Sequence, residues 1–154
     1  MAGGQTGGLI VKNNRGFSLL ELLIVVAIIL IIATIAIPSL LRSRQAANES
    51  VAVANMRNLN SALVSYSSAN GGVYGDISDL VSAGLIDNRY GSANFSGFSY
   101  SIQLSSDFRD YTAFATAVSS NTSRYDYYSS PDFVVRYSTT ASRAPSGQTG
   151  LPVQ

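Results

Sequence analysis

One acidic residue, Glu21, lies in an otherwise apolar stretch near the start of the chain. The stretch runs from residue 17 to residue 37, and its only polar side chains belong to Ser18, Glu21 and Thr34. A carboxylate in a bilayer costs about 2.5–3.5 kcal/mol even on insertion-based scales, so Glu21 needs a physical reason to be there. Two interpretations are open: the side chain reaches the headgroups, or it acquires a cationic partner within the apolar layer.

Residue types for catalysis are scarce in the rest of the chain. The absence of histidine and cysteine excludes His-based triads, cysteine nucleophiles, disulfides and thiolate metal sites. Asp107 and Asp110 are the nearest carboxylate pair for acid–base chemistry, but they flank Phe108 in a predicted hairpin loop, where solvated turn residues are expected. The other aspartates lack metal-loop spacing. The sequence therefore predicts no catalytic residue, no metal, no cofactor and no enzymatic activity.

Charge composition narrows the class of protein further. The 154 residues include 10 Lys and Arg against 9 Asp and Glu, a net charge of +1 that argues against nucleic acid as a partner. Only 12% of the residues are charged, about half the fraction of a typical soluble domain. This low charge predicts that one segment lies in lipid.

The apolar stretch 17–37 has the length of a membrane-spanning helix. Its 21 residues correspond to a helix about 30 Å long, and they are apolar on every face. A removable signal peptide is the alternative, but its apolar region is usually shorter and ends in a small-x-small site that is not evident here. Two basic residues precede the stretch and two follow it, so their distribution does not decide its orientation: Lys12, Arg15, Arg42 and Arg44.

The residues around Glu21 form a recognisable motif. Gly16-Phe17-Ser18-Leu19-Leu20-Glu21, after a short basic segment, resembles the processing site of type IV prepilins. The resemblance implies that a prepilin peptidase removes residues 1–16 by cutting after Gly16, and that the new amine of Phe17 is methylated. It also places Glu21 at the fifth mature position, where the family has a glutamate, and Pro38 at the family's helix kink. Leu30 stands where many members have a glycine, so the extent of helix unwinding is left open.

Cleavage after Gly16 would place a positive amine four residues from Glu21. Within one chain the amine could lie near the carboxylate, and between chains Glu21 could attract the amine of an incoming subunit. The attraction is strong in a low-dielectric layer, although desolvation offsets much of it. A subunit in the wrong register would leave a charge buried without a partner, so we expect the pair to set register.

The chain after residue 37 predicts an α+β fold. A long helix is expected over residues 17–70, with an apolar stripe on one face, Asn55, Arg57 and Ser61 on the other, and its end at Asn70-Gly71-Gly72. A globular head is expected over residues 71–154, with a short capped helix within residues 75–84. Alternation predicts an antiparallel sheet of strands 98–104, 111–118 and 132–137, followed by an irregular tail, 138–154. In outline this order resembles a small pilin.

Three tyrosines cluster in the predicted loop 119–131, namely Tyr125, Tyr127 and Tyr128. They would form either a contact patch for another subunit or surface, or a group of aromatic side chains that folds back on the sheet. Both interpretations remain open at this point.

Together the motif and fold predict a structural subunit of a type IV pilus. The resemblance implies a single-pass inner-membrane precursor with a cytoplasmic leader, then an extracellular homopolymer for adhesion, motility or DNA uptake. The implied partners are further copies of the chain, the prepilin peptidase, the inner-membrane assembly machinery and, before assembly, the membrane. The alternatives are a pseudopilin of a type II secretion system, a minor pilin, or a membrane-anchored binding module that does not polymerise.

Overall fold

The computed structural model describes residues 16–138 and 150–153, and its longest element is one helix. Helix α1 spans Leu19–Ala69 and continues through Pro38 without interruption. It ends where predicted: Gly71 and Gly72 have positive φ angles of 70° and 88°, and the Gly72 amide donates to the Ser67 carbonyl at 2.9 Å. The chain divides into two compact units after Pro38, so the C-terminal part of α1 belongs to the same unit as the head.

The predicted short helix is present as α2, Ile77–Ser82, and its ends follow from local hydrogen bonds. Asp76 is the N-cap and forms a reciprocal capping box with Asp79. Gly84, just beyond the helix, has a φ of 70°, the left-handed conformation that ends many helices. A single 3₁₀ turn, Asn88–Gly91, then leads toward the sheet.

The head contains an antiparallel sheet in the order β1-β2-β3-β4-β5. The strands span Phe98–Leu104, Tyr111–Ala117, Tyr127–Ser129, Arg136–Tyr137 and Leu151–Pro152. The first two predicted strands are therefore confirmed to within one residue, and so is the α+β fold class.

The predicted third strand at residues 132–137 is wrong in its extent. Phe133 sits in a turn with a φ of 61°, its amide donates to the Ser130 carbonyl at 2.8 Å, and Asp132 accepts from the Val134 amide at 3.1 Å. These bonds hold the apolar run 133–135 in a turn, so that only Arg136–Tyr137 remains as β4.

Two further corrections concern the loop 119–131 and the tail. Tyr127 and Tyr128 lie in strand β3 and are buried, and the Tyr125 ring packs against Tyr137 with a centroid separation of 4.8 Å. The tyrosines thus fold onto the sheet. The tail prediction is wrong at Leu151–Pro152, which pairs with β4; its residues 139–149 and 154 lie outside the described residues.

The core lies between the sheet and one face of the C-terminal part of α1. The predicted apolar stripe of the helix is buried there, with Tyr66 at its edge. Its buried members are Val53, Met56, Leu59 and Leu63. Strands β1 and β2 contribute alternate residues to the same core: Phe98, Tyr100, Tyr111, Ala113 and Ala115.

Asn55 was expected on the solvent face of α1, and this prediction is wrong. Asn55 is buried and its amide donates to the Tyr100 hydroxyl at 3.0 Å. Burial raises the pKa of Tyr100 to about 12, so this hydroxyl stays protonated at neutral pH. Because the asparagine finds polar partners on the head, its burial is compatible with the apolar core.

Candidate processing and assembly site at the start of the apolar helix

The bond between Gly16 and Phe17 lies in a short non-helical segment that precedes α1. Residues 16–18 have no regular secondary structure and are exposed. A methyl group added at Gly16 would meet no heavy atom within 4 Å, and its φ lies outside the left-handed region. The described part of the chain therefore imposes no need for glycine at this position.

Glu21 folds back toward the start of its own helix. Its Oε2 accepts a hydrogen bond from the Ser18 amide at 2.9 Å. The Ser18 hydroxyl accepts from the amide of another residue, Leu20, at 3.3 Å. The Leu22 amide donates to the Ser18 carbonyl at 3.2 Å as the first helical bond. Ser18 is thus the N-cap of α1, and its carboxylate partner is Glu21 at the third helical position.

Sequence reasoning treated Ser18 as an interruption of the apolar run and missed this arrangement. The signal was present, because serine followed three residues later by glutamate, just ahead of an apolar run, is the pattern of a capping box. In the structure, Glu21 therefore has a local hydrogen-bond partner, the Ser18 amide, in addition to any partner on a neighbouring subunit.

The remainder of the apolar segment presents its side chains outward. Every large apolar residue from Phe17 to Ile37 is at least 45% exposed, and Leu19 reaches 80%. The Thr34 hydroxyl donates to the Ile31 carbonyl at 2.7 Å, so this polar group is satisfied within the helix. Glu21 is the one charged residue between Phe17 and Ile37. Within the described residues, α1 is the helix long and apolar enough to cross a membrane.

Pro38 and Leu30 both lie inside α1. The helix continues on both sides of Pro38, so the chain as described is not unwound between these two residues. A kink at Pro38 stays a prediction, because proline removes one backbone donor and crowds the preceding turn without necessarily ending the helix.

A second charged contact joins α1 to the loop before β3. Glu49 is buried, and its carboxylate accepts from the Arg124 amide at 2.8 Å and from the Arg124 Nη2 at 2.7 Å. Burial raises the pKa of Glu49, but the hydrogen bonds from Arg124 outweigh it and hold the pKa below its ordinary value. The contact is structural, since it fastens the loop to the helix.

The predicted turn role of Asp107 and Asp110 agrees with their surroundings. Both are exposed in the β1–β2 connection, where Asp107 accepts from the Ser105 hydroxyl at 2.6 Å and the Asp110 amide donates to that hydroxyl at 2.9 Å. Among residues 16–138 and 150–153, no three histidine, cysteine or acidic side chains are grouped closely enough to hold a metal ion. The absence of enzymatic activity stays a prediction.

The fold and the N-terminal site define a class of protein in which an exposed apolar helix with one carboxylate near its start leads into a small α+β head. Comparison with known families gives a match to the prokaryotic N-terminal methylation motif over residues 11–37. This match contains Gly16, Phe17 and Glu21.

Two curated relatives narrow the class further. The type IV wide pilus major component PilA4 of Thermus thermophilus is 39% identical over 74 residues, which cover 48% of this chain and 56% of that protein. The type IV major pilin protein PilA of Myxococcus xanthus is 39% identical over 79 residues, which cover 51% of this chain and 36% of that protein. The predicted resemblance to type IV pilins is confirmed, although the chain spans only about half or less of each relative. No solved structure gives a significant match.

Proposed function

We propose that this chain is a structural subunit of a type IV pilus, cleaved after Gly16, methylated on the Phe17 amine and polymerised through its N-terminal helix. The observation that carries the proposal is the lone carboxylate of Glu21 in an exposed apolar helix, within the segment that matches the prokaryotic N-terminal methylation motif. Both relatives are named as major pilus components, which favours a pilus subunit over a secretion pseudopilin or a minor pilin.

The exposed segment 17–37 supplies the attraction between subunits. Before assembly its side chains lie in lipid, in a single-pass precursor with a cytoplasmic leader and an external head. On assembly they exchange lipid for the helices of other subunits. Because lipid tails are as apolar as these side chains, close packing and polar contacts determine the association. Repeated head-to-tail contacts that do not close on themselves generate a filament, which carries the heads outside the cell.

Glu21 gives this apolar association its register. In a dry filament core an unpaired carboxylate is costly, so the favoured position brings a positive group to it. The methylated amine of a neighbouring Phe17 is such a group, because methylation preserves its charge. The prepilin peptidase and the inner-membrane assembly machinery are the further partners in this proposal.

The mass of the N-terminal peptide from purified surface filaments tests the proposal. The expected peptide begins at Phe17 and carries one additional methyl group on its amine. A filament subunit that retains residues 1–16, or begins after Pro38, would contradict the proposal. A chain with a methylated Phe17 that is found only in the membrane would contradict polymerisation and support the anchored module.

A further inference from the structure

We infer that Ser18 is a positioning residue for Glu21: together they close a capping box that holds the carboxylate at the chain end where subunits join. The inference rests on the proposed function and assigns a role to Ser18 that the processing motif alone does not require. Its basis is a pair of bonds, from the Ser18 amide to Glu21 at 2.9 Å and from the Leu20 amide to the Ser18 hydroxyl at 3.3 Å. They form a variant of the capping box in which the hydroxyl accepts from the second helical amide instead of the third.

The first step concerns the free amides at the start of α1. The first amides of a helix have no partner within it, and in an apolar layer no water satisfies them. The Ser18 hydroxyl accepts from the Leu20 amide, and Glu21 accepts from the Ser18 amide itself. The amides of Ser18 and Leu20 therefore keep side-chain hydrogen-bond acceptors when the helix lies in lipid or in the filament core.

The second step concerns where the carboxylate lies. A glutamate extended along the outside of the helix would place its charge among the neighbouring leucines. The bond to the Ser18 amide instead draws Oε2 toward the residue that directly follows Phe17. The Phe17–Ser18 peptide bond, which supplies this amide, survives cleavage after Gly16. The mature chain can therefore keep the capping box while the new amine appears one residue away.

The third step concerns what the hydroxyl adds. The bond from the Leu20 amide keeps Ser18 in the N-cap conformation, outside the helix, and this conformation points its own amide at Glu21. Without the hydroxyl, the first turn frays more readily and the carboxylate loses its fixed position. Ser18 thus acts through Glu21 rather than on the incoming amine.

Glu21 has two properties that substitutions can distinguish: its negative charge and its hydrogen bond from the Ser18 amide. Glutamine also serves as the third-position partner of a capping box, because its amide oxygen accepts the same bond. Glu21→Gln therefore keeps the box and removes the charge. Ser18→Ala keeps the charge and weakens the box, and Ser18→Thr keeps both.

The first measurement is amide hydrogen exchange at residues 19–22 of the full-length, uncleaved chain in detergent micelles. Loss of the N-cap hydroxyl in Ser18→Ala is expected to speed exchange roughly fivefold. Ser18→Thr and Glu21→Gln are expected to stay within about twofold of the unchanged protein, since both keep the box. Equal exchange rates for Ser18→Ala and Ser18→Thr would overturn the capping box.

The second measurement is the yield of filaments sheared from cells that express each variant at equal level. Ser18→Ala is expected to be processed at Gly16 and to assemble roughly fivefold less, with Ser18→Thr restoring the yield. Full assembly of Ser18→Ala despite faster exchange would show a cap without a positioning role and overturn the inference. An unchanged protein that is never cleaved at Gly16 would contradict the proposed function, while the exchange rates would still decide the capping box.

Discussion

The Glu49 carboxylate of α1 and the Arg124 guanidinium of the loop before β3 form an ion pair with an Oε2–Nη2 distance of 2.7 Å. Nearby polar contacts fasten the same loop to the helix, because Gln45 and Asn48 donate to the carbonyls of Ser120 and Thr122 at 3.0 and 2.9 Å. The long helix and the sheet are therefore joined by directed polar bonds as well as by the apolar core.

Replacing Glu49 with alanine is expected to lower the free energy of unfolding by about 1–3 kcal/mol, because the Arg124 amide loses its acceptor and the Arg124 guanidinium loses its ion-pair partner. The value stays below that of a fully buried pair because the Arg124 side chain is half exposed. Urea unfolding of the full-length chain in detergent, followed by tyrosine circular dichroism, measures it. Asp87→Asn is the control, because it removes the charge of the exposed pair with Arg89 while its amide oxygen can still accept from the Arg89 amide. It should cost clearly less than Glu49→Ala, and equal losses would contradict the account.

Stability is expected to fall in acid because of Glu49. Its pKa in the folded chain lies below the ordinary value of 4.5 because bonds from Arg124 outweigh burial. A carboxyl group of this kind contributes stability above its unfolded pKa, and the contribution is lost as the pH falls through the folded pKa. The free energy of unfolding should therefore decline below pH 4.5. The same titration of Glu49→Gln should show a shallower decline; an identical slope would exclude Glu49 as a cause.

Gly97 is expected to resist substitution. It has a φ of 87°, and an added Cβ would lie 2.4 Å from the Thr122 Cγ2. Gly97→Ala should therefore cost about 2 kcal/mol of stability through strain and crowding. Gly91→Ala is the matched control, since its nearest neighbour would lie at 3.9 Å and its φ is not in the left-handed region. Thermal unfolding of both variants measures the difference, and similar midpoints would contradict it.

The buried side chain of Asn60 is expected to stabilise the fold, although it is polar and lies in an apolar core. Its side-chain Nδ2 donates to the Ser129 hydroxyl at 2.8 Å, and its side-chain Oδ1 accepts from the Tyr111 hydroxyl at 3.2 Å. Asn60→Leu should cost about 2 kcal/mol, because the buried hydroxyls lose partners. Ser61→Ala is the control, since its exposed hydroxyl bonds only its own helix, to the Arg57 carbonyl. Equal urea midpoints for the two variants would show that the Asn60 bonds contribute little.

The sequence allowed the helix end and the first two strands to be predicted, because glycines and strict alternation are local signals. Asn55 was placed on the wrong face because its burial depends on the Tyr100 hydroxyl, which comes from a distant strand. The apolar run at Phe133 resembled a strand, but its amides donate to the Ser130 carbonyl and the Asp132 carboxylate, and these bonds hold it in a turn. In the candidate site, Glu21 was identified because a carboxylate in an apolar membrane segment is energetically unfavourable. Its hydrogen bond from the Ser18 amide was not predicted.

The most direct test of the account compares the filament yield of Glu21→Gln with that of the unchanged protein, at equal expression and with cleavage at Gly16 verified by mass. Glutamine has nearly the same shape and keeps the bond to Ser18, so only the charge is removed. The account predicts processed subunits that remain in the membrane and a yield reduced at least tenfold, the effect of about 1.4 kcal/mol. Filaments formed at the unchanged yield would contradict the claim that a neighbour's amine neutralises Glu21.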